Sequence, residues 1–492
     1  MKKVPGGWSS LTKEILRGMF LKDKISTTGI QLPVNGGVHV RVFFWALLAD
    51  EEALAAMWGT TGASGTCPCG IMCSVTNKPI HTDVARGIPS LAAIDTKIPD
   101  ISCGEESKLG LRTDQYVWNM CDELEAAPAG QRAELQQFSG IKYHPDALLY
   151  DRALRQFVSP TASNRFDVMH VVASNGVLGV EMALTLGEMK RSLGAYFAEV
   201  RAFHIEEGWQ PKTEIFSKVR EKSCEGSLKA GASELWSAYP LLRRFVLVAY
   251  GEDAPEPHVQ SFMLLCDIVD IFVDVMHGGG VEAAANLRSL VLRYLKMFVT
   301  AHGHHYLKWK HHALVHLYNQ ILKDGRLLSC WVVERKNIAG KESMANCRSK
   351  KQLERTALSR MLNAQVRKLE APGWASRLEK PCRSLPQLAA TINAMQVEVS
   401  AAMKWCGISI KNGEILFLDS DRARLVVVVG CLAIDGGSWG LLVRAGAPLS
   451  RDRHASKWTI AADVSYHILG ADRILKAAFH RYVTPQCLEV LH

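Results

Sequence analysis

A mixed α/β chain is what this sequence predicts, and three observations predict it. HVRVFFWALLAD (39–50) is a β-branched and aromatic run fit for a buried strand near the N-terminus. From about residue 105 to residue 300 the apolar residues recur mostly at helical spacing. The last eighty-odd residues break into short β-rich runs separated by Gly, Asp and Ser turns. With 48% hydrophobic and 22% charged residues over 492 positions, the composition is that of a globular protein with room for several domains and a sizeable core.

Each element follows from its local pattern. Residues 1–100 hold a helix around LTKEILRGMF, a turn at VNGG, the strand ending on Asp50, a short helical pattern EEALAAMW and the glycine-rich loop GTTGASGTCPCG. Residues 101–300 form a helical domain. QYVWNMCDELEAA, VLGVEMALTLGEMKRSLGAYFAEV, ELWSAYPLLRRFVLVAY and LRSLVLRYLKMFVTA carry its period, and SGIKYHPDA, VSPTAS and YGEDAPEPH interrupt it. Residues 301–383 contain a histidine-bearing helix, an apolar run around Glu334 and a basic segment. Residues 384–492 begin with one more helix, LAATINAMQVEVSAAMKW. The runs KNGEILFLD, ARLVVVVGCLAI, GSWGLLVRAG and SKWTIAADV then predict a small all-β barrel or sandwich, and helix returns at ILKAAFHRYV.

MKKVPGGWSS has two lysines but no apolar run behind them, which argues against a secretory signal. The longest apolar stretch, 261–276, is broken by three aspartates, which a membrane span tolerates poorly. Thirteen cysteines without framework spacing argue for a reducing compartment. The expectation is a nuclear or cytoplasmic protein with no membrane association. Net charge is +9, and the segment Arg335–Arg383 alone carries thirteen Lys/Arg against four Glu. Such a segment suits contact with phosphates, and equally a solvated helix face.

Four features carry candidate chemistry. His312 and His316, at i and i+4, project from one helix face within reach of a single ion, or stand as surface polar groups. Cys67, Cys69 and Cys73 place up to three thiolates in a tight loop; a cysteine pair with a histidine pair makes a closed tetrahedral Zn²⁺ site. Asp50 at a strand end suits a Mg²⁺ ligand or the N-cap of EEALAAMW. Glu334, within the apolar run CWVVERKN, calls for a metal or an arginine partner.

Order and spacing join these features: Asp50 precedes Cys67 by 17 positions and Glu334 follows His316 by 18. With WALLADEEALAAMWGTTGASGTCPCGIMC, RFDVMHVVASNGVLGVE and KWKHHALVHLYNQILKDGRLLSCWVVERKN, the chain resembles the CACTA-like (CMC-type) DDE cut-and-paste DNA transposases and, more distantly, the catalytic core of the antigen-receptor recombinase. The resemblance implies an α/β fold in which a partial RNase H-like sheet is interrupted by a large all-α insertion and followed by the β-rich C-terminal domain. It implies Asp50 and Glu334 as carboxylates for catalytic Mg²⁺, and Asp167 and His170 as the family's Asp-x-x-His motif. It implies structural Zn²⁺ on Cys67, Cys69 and Cys73 with His312 and His316. Arg335, Lys336, Lys341, Arg348, Lys350 and Lys351 would hold DNA, and self-association is left open. DVMH recurs at 274–277, and the first copy is preferred for the Gly176 and Gly179 that follow it. The family's first aspartate lies on the order of a hundred residues before the second, and nothing here precedes Asp50 by that distance. The expectation is a truncated, catalytically incomplete transposase; the alternative is a non-enzymatic zinc-stabilised nucleic-acid or protein adaptor, or a plain helical scaffold.

Overall fold

The computed structural model describes residues 7–32, 38–77, 99–188 and 226–330, apart from 229, 252 and 277–280, together with short segments between 359 and 491. The chain is mixed α/β. A helix at Gly7–Leu16, continued by a wider turn at Arg17–Lys22, opens it. Strand β1 (Ile30–Leu32) pairs antiparallel with β2 (Val38–Val40). Strand β3 (Leu47–Ala49) pairs in parallel with β4 (Asn164–Phe166). The single buried strand expected over 39–50 is therefore two short strands in two sheets. Residues 41–46 stay outside both: Val42 and Phe44 pack on the core, while Phe43 and Trp45 are 71% and 47% exposed. The period of two is present, but a strand also needs a neighbour to accept its backbone hydrogen bonds.

Beyond β3, Asp50 caps the helix Glu51–Trp58, and Gly59, at φ +76°, ends it. Helices Asp114–Ala126, Ala129–Ser139, Val177–Glu188, Ala232–Tyr250, Pro257–Met276 and Leu287–His302 build the helical body expected there. One core of buried side chains runs from Leu16 through these helices to Leu327. Two buried polar clusters inside it are paired: Glu181 Oε2 accepts from Tyr294 Oη at 2.9 Å, and Arg243 Nη1 reaches Asp270 Oδ2 at 2.7 Å. The run Val168–Glu188 is long and apolar enough to cross a membrane, and most of it is buried in this core.

In the C-terminal region a ten-stranded sheet centres on the antiparallel pair Leu425–Ile434 and Ser438–Arg451. A three-stranded sheet, 377–379 with 402–405 and 408–411, supplies Met403 and Ile410 to the same core as Val426, Val428, Leu441 and Val443. Two expected helices are strands instead. Among the described residues of LAATINAMQVEVSAAMKW the helix falls within Pro386–Thr391, and Val397–Ser400 pairs with the Leu425–Ile434 strand while Ala402–Trp405 joins the smaller sheet. ILKAAFHRYV holds strands at Lys476–Ala477 and Phe479–Thr484, the second paired with Cys487–Leu491. In both, cross-strand pairing of β-branched and aromatic residues overrides local helical spacing. The VNGG turn lies outside the described residues.

Candidate metal centre

Helix Trp309–Asp324 begins where His311 Nδ1 accepts the Lys308 backbone N–H at 3.0 Å and ends at Gly325, φ +66°. His312 and His316 share one face of it and are fully buried. The thiol loop turns tightly on itself, with Met72 N and Cys73 N donating to Cys69 O at 3.1 and 3.2 Å. Two glycines permit its docking: a Cβ on Gly70 would stand 2.6 Å from Gly140 O, and Gly140, at φ +71°, closes the helix Ala129–Ser139 directly against Cys67 O. The buried guanidinium of Arg112 completes the junction. Its Nη1 donates to Gly70 O and to Ser139 O, the latter at 2.6 Å, and its Nη2 donates to Cys67 Sγ at 3.4 Å.

These supports bring together four ligand atoms from two distant segments. Cys69 Sγ lies 3.2 Å from His316 Nε2; Cys73 Sγ lies 3.3 Å from His312 Nε2 and 3.7 Å from His316 Nε2; the two Nε2 atoms are 3.0 Å apart. All four atoms lie within 4.8 Å of one another. A zinc ion with bonds of ~2.3 Å to sulfur and ~2.0 Å to nitrogen sets tetrahedral edges of about 3.3–3.8 Å. The observed distances fall close to that range. The donor set, two thiols and two imidazoles sealed from water, fits a closed structural ion. The cluster could bind a metal such as zinc.

Electrostatics within the cluster are divided. Burial, with hydrogen bonding to Cys73, pushes the Cys69 thiol well up. At Cys73 burial also opposes ionisation, but the hydrogen bond from Cys69 and the imidazoles of His312 and His316 outweigh it and draw the thiol well down. A cation would relieve the burial penalty at both sulfurs. Trp309 flanks both imidazoles, at ring separations of 5.3 and 6.4 Å.

Cys67 was expected among the ligands, and the structure corrects this. Its Sγ stands outside the four-atom set, held by Arg112 and approaching Cys73 O at 3.9 Å. Spacing alone does not separate Cys67 from Cys69; the deciding group is Arg112, 45 positions further on.

The other candidate residues sort by position. Strands β3 and β4 run parallel in register Ala49↔Phe166, so Asp50 and Asp167 follow at the same end of two neighbouring strands. Asp50 Oδ1 accepts from Ala53 N at 2.7 Å, a helix N-cap, and Asp50 also borders a cavity of about 700 Å³. Asp167 is fully engaged. Its Oδ1 accepts from Met169 N and Cys330 N, and its Oδ2 from His170 N and the His170 ring. Asp167, His170 and Cys330 together form a second group of atoms close enough to hold an ion. Glu334, Arg335, Lys336, Lys341, Arg348, Lys350 and Lys351 lie outside the described residues.

Several residues that shape this region went unread in the sequence. Gln320 Oε1 accepts from Phe166 N at 2.8 Å and its Nε2 donates to Phe166 O at 3.1 Å, so a side chain completes the edge of β4. Arg165 and Asp324 form a buried two-point ion pair at 2.6 and 2.9 Å. His312, His316, Gln320 and Asp324 succeed one another at four-residue steps, and that stripe was the available signal. For Arg112 and Cys330 the sequence holds no comparable cue.

No family model, no curated protein and no solved structure matches this chain.

Proposed function

We propose that this chain is a transposase-derived DNA-binding protein of the CACTA-like DDE kind, built on a partial RNase H-like sheet and stabilised by structural zinc. The observation that carries the reading is one of assembly. The thiol loop that follows Asp50 meets the histidine pair that precedes Glu334, across 239 positions between Cys73 and His312. The resemblance calls for that meeting, and a scaffold with unrelated cysteines does not. The parallel pair β3–β4, with Asp50 and Asp167 leaving the same end, adds to it. So does the return of the chain to Cys330, hydrogen-bonded to Asp167, four positions before Glu334.

In this reading zinc sits on Cys69, Cys73, His312 and His316 and ties the loop to the helix. Asp50 and Glu334 would hold Mg²⁺, which supplies charge stabilisation at a phosphodiester. Asp50 has the chemistry for it: one oxygen caps the helix, and the other has no hydrogen bond among the described residues. The basic segment after Glu334 would hold DNA phosphates without reading sequence.

The capping bond of Asp50 and the saturation of Asp167 favour a second reading, a zinc-stabilised nucleic-acid adaptor without cleavage. The substitution Asp50→Asn separates the two, since Asn caps a helix as well as Asp but is a far weaker Mg²⁺ ligand. The transposase reading expects zinc in stoichiometric amount, DNA binding, and Mg²⁺-dependent strand cleavage that Asp50→Asn and Glu334→Gln both abolish. DNA binding with no cleavage in the parent protein selects the adaptor. Absence of both zinc and DNA binding overturns both readings.

A further inference from the structure

The run 41–46 leaves two aromatic rings in water on one side of the chain. Exposure alternates along it: Arg41, Phe43 and Trp45 are exposed, while Val42, Phe44 and Ala46 are half-buried. Val42 and Phe44 pack on the helical core, so the outward set is anchored by the residues between its members. At ~3.3 Å per residue, positions 43 and 45 stand about 6.6 Å apart on the same side. A base stacked about 3.4 Å from each of two rings requires a separation close to that. The exposures of Phe43 and Trp45 are 71% and 47%, and neither ring stacks on another ring among the described residues.

Charge on this face has one sign. The Arg326 guanidinium lies over the Trp45 ring, 5.2 Å from its centroid, and exposed Arg41 is two positions from Phe43. Among the described residues neither arginine has a carboxylate within 4 Å, whereas Arg17, Arg152, Arg155, Arg165 and Arg243 each do. Such a face calls for a partner that is anionic and flat. A second copy of the chain would set the arginines of two like faces against each other. An acidic peptide would meet the charge and leave the rings without a planar partner. A nucleic-acid strand meets both, since bases stack on aromatic rings and guanidinium forks match phosphate oxygens. Trp8 shows the contrast: it is 58% exposed, yet among the described residues no ring or guanidinium stands against it.

We propose that Arg41, Phe43, Trp45 and Arg326 form a stacking platform for an unpaired nucleic-acid strand, the rings taking bases and the guanidiniums phosphates. This rests on the DNA-binding reading above and adds a place and a strand state to it. Bases inside a duplex turn their faces to one another, so rings on an open surface reach them only in an unpaired strand.

The test uses the full chain with three fluorescein-labelled probes: a single strand of roughly 20 thymidines, an abasic strand of the same length, and polyglutamate. The abasic strand keeps the phosphates and lacks the rings, so the ratio of the two strand affinities isolates stacking. In the parent protein the thymidine strand should bind about ten-fold or more tighter than the abasic one. Phe43→Ala/Trp45→Ala should erase that ratio, Phe43→Tyr/Trp45→Phe should keep it, and Trp8→Ala should leave it unchanged. Arg41→Gln/Arg326→Gln should flatten the log–log salt slope for both strands by about 1.4, two contacts at ~0.7 each. A second readout needs no variant: ultraviolet cross-linking of the parent protein to the thymidine strand, followed by mass spectrometry, should place nucleotides on Phe43 and Trp45.

The outcomes distinguish the platform from the reading beneath it. If the parent protein binds the thymidine strand while the alanine pair keeps the affinity ratio and no cross-link falls on 43 or 45, the platform fails and the DNA-binding reading stands. Equal affinity of the parent protein for the two strands also overturns the platform, leaving phosphate contact alone. Polyglutamate binding that Arg41→Gln/Arg326→Gln abolishes, without binding of the thymidine strand, overturns it in favour of an acidic protein segment. If the parent protein binds neither single-stranded nor duplex DNA, both fall.

Discussion

Removing the ion from the Cys69–Cys73–His312–His316 cluster should loosen the protein by an amount its topology sets. The centre cross-links segments 239 to 247 positions apart. Treated as a chain cross-link, closing a loop of that length removes about 5 kcal/mol of unfolded-state entropy. Over a cooperative unit of about 300 residues, the unfolding entropy of roughly 0.6 kcal/mol/K converts this to a fall in Tm of about 8 °C. The perturbation is Cys73→Ser, since Cys73 Sγ touches both imidazoles at 3.3 and 3.7 Å. The assay is zinc by elemental analysis alongside scanning calorimetry. Cys73→Ser should lose the ion and the 8 °C together, and a chelator should do the same to the parent protein. Cys67→Ser should keep the ion, because Cys67 Sγ bonds Arg112 outside the cluster. Parent protein free of stoichiometric zinc refutes the reasoning. So does a pair of variants in which Cys67→Ser loses the metal and Cys73→Ser retains it.

Three further substitutions probe what holds the centre in place. Gly70→Ala forces a methyl to within 2.6 Å of Gly140 O, a backbone atom that cannot swing away, and should cost about 1–3 kcal/mol in a urea titration. Asp324→Ala strands the buried Arg165 guanidinium and should cost about 3–5 kcal/mol, whereas the joint change Arg165→Met/Asp324→Leu should recover most of it. Gln320→Leu leaves the Phe166 N–H and C=O unpaired in the interior and should cost about 2–4 kcal/mol. Hydrogen exchange at the Phe166 amide should quicken in that variant while zinc content holds.

How much of this was legible in the sequence depended on the range over which each feature is decided. The histidine pair is set by five residues of one helix, and the cysteine turn by five residues of one loop, so both could be read locally. The choice between Cys67 and Cys69 could not, because Arg112 makes it from 45 positions away. The run 39–50 had the composition of a strand, but the partner that decides where pairing occurs is β1 for one end and Asn164–Phe166 for the other. LAATINAMQVEVSAAMKW failed for the same reason. Its alanines keep helical spacing, while Val397 and Val399 pair with Ile434 and Leu432.

The strands that carry Asp50 and Asp167 are three residues long, too short to be stable as an isolated pair. Their rigidity must come from elsewhere, and helix Trp309–Asp324 supplies it through one stripe. His312 and His316 face the thiol loop; one step on, Gln320 holds the backbone of Phe166; one step further, Asp324 holds Arg165. At 1.5 Å per residue the stripe spans about 18 Å, enough to register the loop after β3 and the strand β4 on a single rigid ruler. A metal held by the cluster would thereby be coupled to the position of β4 through one element. The carboxylate end of β4 is held by a helix more than a hundred residues downstream, and β3 is held to β4 by the parallel pairing.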